Sequence, residues 1–527
     1  MTDSLPKTSR GRIARAAGLM SVAVFISRIL GYVRDMVLAY YLGASGRSDS
    51  FLIAFRIPNL LRELFAEGSM SAGLIPVLKE YQVRKGEAQA KRLARIVFAF
   101  IVVVVGMIVV SGIIFAPAVV RVLAPNFLNF PDKFSDTVLQ TRIMFPFVLF
   151  ISLSALLMGV LNTRGIFFIP ALSSAGLNVG MIAVVIALSS WNPMYAAALG
   201  MLFGGFLQFA FQVPSYLRQG YDFRPVPEFR DPGLKKIGML ILPTSIGMAV
   251  AQINIIVSSI LASYLPEGSI SYLFYSMHLI QFPIGMFGVT MALAVLPALS
   301  EHALKQDFSS LRSDFSFALR LLFFITLPAM AGLIALREPI VSTLYMRGDF
   351  DYKAVAGTAG ALLFYSTGIW AMAGARVLAS TFYSMQNTRT PMRSAVTALT
   401  VNLFLSLLLM GPMEHRGLAL ANAAASMLNF GILFYALRKR LRRVEGRRIA
   451  GSFGKALFAS AVMGTAGFFV SRLALWRLPG MALEKALWLI GTIALSVGLY
   501  ALLCYLLKSE ELGYMLTFMK ERFRKTR

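Results

Sequence analysis

This chain is poor in the residues from which most enzyme sites are built. Its 527 residues include a single cysteine, Cys504, and three histidines, His278, His302 and His415. One thiol rules out an intramolecular disulfide and any multi-cysteine metal site, and the histidines lie too far apart for a ligand motif such as HExxH. No Walker A or GxSxG pattern is present. The polar connections are too short for a soluble catalytic domain, the longest falling near residues 217–236. Charge is scarce too, at 14% of residues, against about 25% in a soluble domain. Acidic residues are the rarer half, with 25 Asp and Glu against 51 Lys and Arg. Hydrophobic residues dominate instead, at 57%, with a mean hydropathy of +0.69. The composition therefore excludes a soluble globular protein. Apolar runs of helix length, in a medium where backbone groups must be satisfied internally, imply an all-α polytopic membrane protein.

At about 20 apolar residues per crossing, fourteen transmembrane helices are expected. They lie near residues 16–41, 49–78, 93–123, 138–160, 167–189, 194–216, 237–263, 270–299, 316–336, 354–384, 392–411, 417–437, 451–475 and 484–507. The N-terminal stretch is polar and basic (Lys7, Arg10, Arg12, Arg15) and the apolar run after it exceeds a signal-peptide core, so the first run is expected to be kept as a span. Basic residues crowd alternate connections. Lys79, Arg84, Lys85, Lys91, Arg92 and Arg95 fill the second, and Arg218, Arg224, Arg230, Lys235 and Lys236 the sixth. The twelfth runs from Arg438 to Arg448, and the C-terminus ends in Lys520, Arg522, Arg524, Lys525 and Arg527. By the positive-inside rule both termini are cytoplasmic in a multi-pass membrane protein. The net charge of +26 is then explained by topology and contact with anionic membrane lipids, not by nucleic acid.

The chain repeats itself at an offset of about 221–225 residues. Ser71–Leu78 resembles Leu293–Leu299, Asn162-Thr163-Arg164 matches Asn387-Thr388-Arg389, and Asn178 answers Asn402. Six spans per copy is an even number, so the copies insert in the same orientation as two pseudo-symmetric six-helix lobes, a plan used by transporters with the substrate site between the halves. The expected organisation is an N-lobe over 1–216, a cytoplasmic linker over 217–236, a C-lobe over 237–440, and two further C-terminal helices with a basic tail over 441–527.

Charge is concentrated where hydrocarbon should exclude it. Ser27–Gly68 is apolar enough for two spans, yet carries Arg28, Arg34, Asp35, Asp49, Arg56, Arg62, Glu63 and Glu67. A charge at bilayer depth costs about 2.5–3.5 kcal/mol on insertion scales, so such residues face protein or a water-filled cavity. Arg28 and Asp35 are seven apart and share a helical face, as do Asp49, Arg56 and Glu63, with Asn59 and Arg62 following at steps of three. Pro58 should bend the second span. The pattern reads as a cationic pocket, with arginine forks suited to phosphate oxygens. Glu63 and Glu67 read as structural partners of the arginines, and Asn178 and Asn402 as interhelical hydrogen-bonders. Arg376 either lines a second-lobe cavity or snorkels. No catalytic residue and no metal site is expected. No cofactor is expected either, so energy would come from the membrane potential or an ion gradient.

The runs SRILGYVRD, SDSFLIAFRIPNLLRELFAEG, SAGLIPVLKEY, FPIGMFGVTMALAVLPALS, LYMRGDF and STFYSMQNTRTP resemble the MurJ/MviN family of lipid II flippases, in order and over nearly the whole chain. The resemblance implies a transporter of the MOP superfamily, with two six-helix lobes and two extra C-terminal helices whose groove takes the lipid tail. It implies flipping of lipid II, the undecaprenyl-pyrophosphate-linked peptidoglycan precursor, across the bacterial inner membrane by alternating access, with peptidoglycan synthesis proteins as further partners. Carried over by motif, the substrate-binding residues are Arg28, Arg34, Asp35, Asp49, Arg56, Asn59, Arg62 and Glu67. This chain departs from the family's eighth-span Asp-Arg pair, having Met277 and His278, and has Gln281 where a Glu is common. Its seventh span lacks the carboxylate that some members use for sodium. His278 is accordingly expected to bind the headgroup as a donor charged only when protonated. The rival readings are a flippase for another polyprenyl-linked oligosaccharide, a cation-coupled multidrug exporter, and a polytopic glycan polymerase. The arginine excess argues against the exporter, and no outward-facing carboxylates stand out for the polymerase.

Overall fold

The computed structural model describes residues 7–65, 69–442 and 444–526. Their regular secondary structure is all helical, and the chain divides into two compact units, Met1–Tyr264 and Leu265–Arg527. The first contains α1 (Lys7–Leu42), α2 (Gly46–Phe65), α3 (Ser69–Arg84), α4 (Glu87–Ile114), α5 (Ala116–Leu123), α6 (Pro131–Met144), α7 (Phe147–Thr163), α8 (Phe168–Leu188), α9 (Pro193–Arg218) and α10 (Pro232–Ser263). The second contains α11 (Ser269–Pro283), α12 (Thr290–Leu304), α13 (Phe308–Ala335), α14 (Arg337–Tyr345), α15 (Tyr352–Thr367), α16 (Ile369–Ser384), α17 (Arg389–Leu441), α18 (Gly446–Ser471), α19 (Ala482–Leu506) and α20 (Glu510–Thr526). A π-helical turn, Ile284–Val289, joins α11 to α12 just after Pro283, which has no N–H to continue the α ladder.

A helix stands at each of the fourteen expected segments. Among the described residues, nine are long and apolar enough to cross a membrane, or ten if the pair α15 and α16, bent by 42°, is one span. Length and composition thus support a multi-pass membrane protein without reaching the expected fourteen. One shortfall is the charge in α2, which carries Arg47, Asp49, Arg56, Arg62 and Glu63. Another is α17, whose 53 residues would run to about 80 Å if straight, against about 30 Å of hydrocarbon. It folds back on itself instead, because Glu414 leaves the helical region with φ 52° and ψ −135°. The Leu409 carbonyl then lies where a Cβ on Gly417 would stand. The two expected segments 392–411 and 417–437 are the two arms of this hairpin.

Helix starts follow the capping residues. The Asn192 side chain accepts from Met194 N at 3.0 Å to open α9, Asp231 accepts from Gly233 N at 2.7 Å to open α10, and Asp351 accepts from Ala354 N at 2.8 Å to open α15. Pro193 and Pro232 follow two of these caps, where a missing N–H costs nothing. In the first unit α8 packs on both α9 and α1, while α10 packs on α3 and α2. The α8–α9 contact depends on small residues, since a Cβ on Gly180 would stand 2.9 Å from Gly204 Cα and one on Gly204 2.5 Å from the Leu177 carbonyl. With lipid as apolar as any side chain, such close backbone approach is what drives helix association. Gly204→Leu is therefore expected to part α8 from α9. The check is a loss of monodisperse protein on size-exclusion chromatography in mild detergent, with Gly238→Leu as a control, because a Cβ there meets nothing within 4 Å.

The 217–236 connection is pinned to the start of α4. Arg95 donates to both Asp222 oxygens at 2.6 and 2.5 Å, and Arg92 to both Glu228 oxygens at 2.7 and 2.6 Å. The Arg95 guanidinium holds the Asp222 carboxyl below its ordinary pKa, so the pair persists under mildly acidic conditions. In the second unit the core gathers on α13, where Phe323 meets Trp370 of α16, Phe430 of α17 and Phe453 of α18 at ring-centre distances of 6.0, 5.9 and 5.1 Å.

Candidate functional site

Helix α1 has two unlike sides. Val22, Phe25, Ile29 and Val33 recur at steps of three and four and are exposed, a stripe that hydrocarbon accepts. The other side meets α8 and carries polar groups. Arg34 donates from Nε and Nη2 to Asp35 Oδ1 at 3.0 and 2.7 Å and from Nη1 to Asn178 Oδ1 at 3.1 Å. Asn178 Nδ2 in turn donates to the Ser27 carbonyl at 3.1 Å, and the Ser27 and Ser174 hydroxyls are 2.8 Å apart. Asp35 is 2% exposed, so its charge is tolerable only because Arg34 answers it. The Arg34 side chain keeps 21% exposure. Three of its five N–H groups are committed within the protein, which leaves two on the same planar fork for an oxyanion. Arg28, two turns before Asp35, is exposed.

A second polar cluster is built on α2. Arg62 Nε donates to Asn59 Oδ1 at 3.0 Å, and Asn59 Nδ2 donates to Glu63 Oε1 at 3.0 Å. Glu63 Oε2 accepts from Gln252 of α10, and Arg62 Nη2 stands 3.9 Å from Glu63 Oε1. Glu63 is thus the structural acceptor expected of it, and it ties α2 to α10. The Arg62 side chain is 25% exposed, and Arg56 is half-buried one and a half turns earlier. Asp49 is 2% exposed in the first turn of α2, where the positive end of the helix dipole favours a carboxylate. Glu67 lies outside the described residues.

The sequence-derived residues therefore fall into distinct groups: Arg34 and Asp35 with Asn178, and Asn59 and Arg62 with Glu63 and Gln252. His278 belongs to the second unit. Its Nδ1 donates to the Phe274 carbonyl at 3.0 Å, since a carbonyl only accepts, and its ring lies 4.2 Å from that of Phe274. In the neutral ring this leaves Nε2 an acceptor, and a donor only when the ring is protonated. Arg376 is exposed on α16. Reading the sequence missed Ser27 and Ser174, for which no local signal exists, because one serine supports the other across 147 residues. Among the described residues no three His, Cys, Asp or Glu side chains gather as metal ligands.

Helices α18 and α19 flank an apolar groove of about 420 Å³, lined by Ala466, Val470, Leu487, Trp488, Leu495 and Leu499 among others. Lys485, two residues before Leu487 of the lining, anchors the start of α19. This lysine is 1% exposed and donates to the Leu478 carbonyl at 2.6 Å and Ser342 Oγ at 3.0 Å, while Ser342 donates to the Trp476 carbonyl at 2.8 Å.

Among the described residues, nine or more apolar helices with arginines held against them define a multi-pass helical membrane protein. The fold is shared with a structure described as a multidrug resistance MATE family transporter of the MOP superfamily in an inward-facing conformation, which matches 82% of this chain and 99% of its own with a TM-score of 0.63 at 15% identity. A structure described as lipid II flippase MurJ in an inward closed conformation matches more fully, with a TM-score of 0.76 at 25% identity over 93% of this chain and 98% of that one. In sequence, a probable lipid II flippase MurJ from Haemophilus influenzae is 33% identical over 491 residues, 90% of this chain and 96% of the relative. The lipid II flippase MurJ of Burkholderia cenocepacia is 33% identical over 432 residues, 81% and 84% of the two chains. The family described as lipid II flippase MurJ matches residues 38–485, and the chain belongs to that family.

Proposed function

We propose that this protein flips lipid II from the cytoplasmic to the outer leaflet of the bacterial inner membrane by alternating access. The observation that carries this reading is the Arg34–Asp35–Asn178 cluster, in a chain of the MurJ family. A buried carboxylate and an amide hold one guanidinium so that its remaining N–H groups are presented together, as a pyrophosphate headgroup requires. Arg28, Arg56, Arg62 and Asn59 supply the rest of the polar surface. Asp49 and Glu67 are further candidates by motif, and His278, in the second unit, is a candidate that donates from Nε2 only when protonated, because Nδ1–H is already given to Phe274. The groove between α18 and α19 suits an isoprenoid chain, which need not leave an apolar medium. Both termini and the 79–95 connection face the cytoplasm. The membrane potential or an ion gradient supplies energy, anionic lipids contact the basic surface, and peptidoglycan synthesis proteins take up the product. The likeness to multidrug transporters, at 15% identity, supports a shared fold alone.

The test is a measurement of lipid II on each membrane face during rapid inactivation of the protein in cells. Accumulation on the cytoplasmic face with loss from the outer face is expected; unchanged distribution with a defect confined to surface polysaccharide overturns the reading. Orientation is checked separately in a Cys504→Ala background. Glu267→Cys is expected to react with an impermeant thiol reagent added outside, and Ala88→Cys only after the membrane is opened. For His278, Arg is expected to preserve transport and Ala to weaken headgroup affinity several-fold in a lipid II binding assay. Equal affinity in His278→Ala and the parent removes that residue from the site.

A further inference from the structure

At one end of the second unit, away from the groove, the start of α13 and the ends of α12, α16 and α17 enclose a second pocket of about 420 Å³. Its lining includes Arg312, Arg440 and Arg442, together with Gln306, Phe308 and Met385. The three arginines come from two separate chain segments, so helical periodicity does not explain their meeting. Arg312 Nε is buried with no hydrogen-bond acceptor among the described residues, an arrangement native proteins avoid unless something else supplies the acceptor. The nearby carboxylates are already engaged. Asp307 accepts from Ser310 N at 3.1 Å, Asp314 meets His302 Nε2 at 3.1 Å, and Glu445 lies 3.6 Å from Arg448. Arg442 is held at φ 60° and ψ −32° and Gln306 at φ 56°, backbone conformations a side chain disfavours and which recur where a site is shaped. Arg440 and Arg442 are exposed and partly screened by water, and an anion between the three guanidiniums would offset the repulsion that remains.

We propose that this pocket binds a phosphate group, either as a soluble phosphate or as the headgroup of an anionic phospholipid. Guanidinium forks match phosphate oxygens in number and plane, and one bound phosphate supplies the acceptor that Arg312 Nε lacks. The apolar rim from Phe308 and Met385 accommodates the first carbons of an ester-linked chain. The site is independent of lipid II transport, since it uses none of the residues assigned to the headgroup.

Two arms of one experiment separate the sources. In neutral detergent, inorganic phosphate is titrated at constant ionic strength while amide exchange is followed over residues 303–312 and 437–442. In nanodiscs of phosphatidylcholine, the same amides are followed with and without phosphatidylglycerol. Protection by inorganic phosphate, reduced at least ten-fold in apparent affinity by Arg312→Gln, identifies a soluble anion. Protection only by phosphatidylglycerol, reduced likewise, identifies a lipid. Arg440→Gln, on an exposed side chain, repeats the test in a variant whose folding is not at stake. No protection from either source, or protection that the variants leave unchanged, overturns the proposal.

Discussion

Replacing Arg34 with alanine is expected to abolish transport and to destabilise the protein together. The two losses have separate causes. Asp35 is 2% exposed and takes two hydrogen bonds from Arg34. Removing one partner of a buried pair leaves an uncompensated charge, at a cost of about 3–5 kcal/mol. The double variant Arg34→Ala/Asp35→Asn removes that charge and is expected to recover most of the thermal midpoint in detergent. It is not expected to recover growth when it replaces the native protein, because the fork for the headgroup is gone. Arg34→Lys keeps a charge but cannot reach Asp35 and Asn178 in one plane, and should support growth only partly. A double variant that is stable and grows normally removes Arg34 from the substrate site.

Arg62→Ala is expected to lose transport while keeping the fold. Arg62 and Glu63 are each about a quarter exposed, and Glu63 retains Asn59 and Gln252 as donors when Arg62 is removed. The stability change should therefore be small, within the 0–1 kcal/mol typical of exposed pairs. The loss of a charge-assisted bond to a phosphate is worth about 1.5–3 kcal/mol, so lipid II affinity should fall roughly ten-fold or more. Binding of lipid II to purified Arg62→Ala, compared with its thermal midpoint, gives both quantities. Unchanged affinity in a folded variant means that Arg62 serves structure alone.

Arg34 and Arg62 were legible from the sequence because a guanidinium in an apolar run is conspicuous: it costs free energy that only a partner or a ligand offsets. Their surroundings were partly legible. Asn178 reads as an interhelical hydrogen-bonder, and it is one, but its acceptor-bound arginine lies 144 residues away. Glu63 reads as structural, yet nothing in its neighbourhood points to Gln252, 189 residues on. Of the arginines of the proposed phosphate pocket, Arg440 and Arg442 read only as topology signals and Arg312 was not singled out, because charge counting along connections does not reveal which connections converge.

By itself the sequence determined that this is a helical membrane protein of many spans, where the helices lie, and that charge is concentrated in the first two. These follow from hydrophobic length and charge placement, which are properties of consecutive residues. Only the tertiary structure decided that the break between the expected spans 392–411 and 417–437 falls at Glu414, that α10 packs with α2 and α3, and that Arg34 is held by Asp35 and Asn178. Each of these depends on which helix faces which. That is set by backbone approach at residues such as Gly180 and Gly204 and by hydrogen bonds that close only after distant segments have packed.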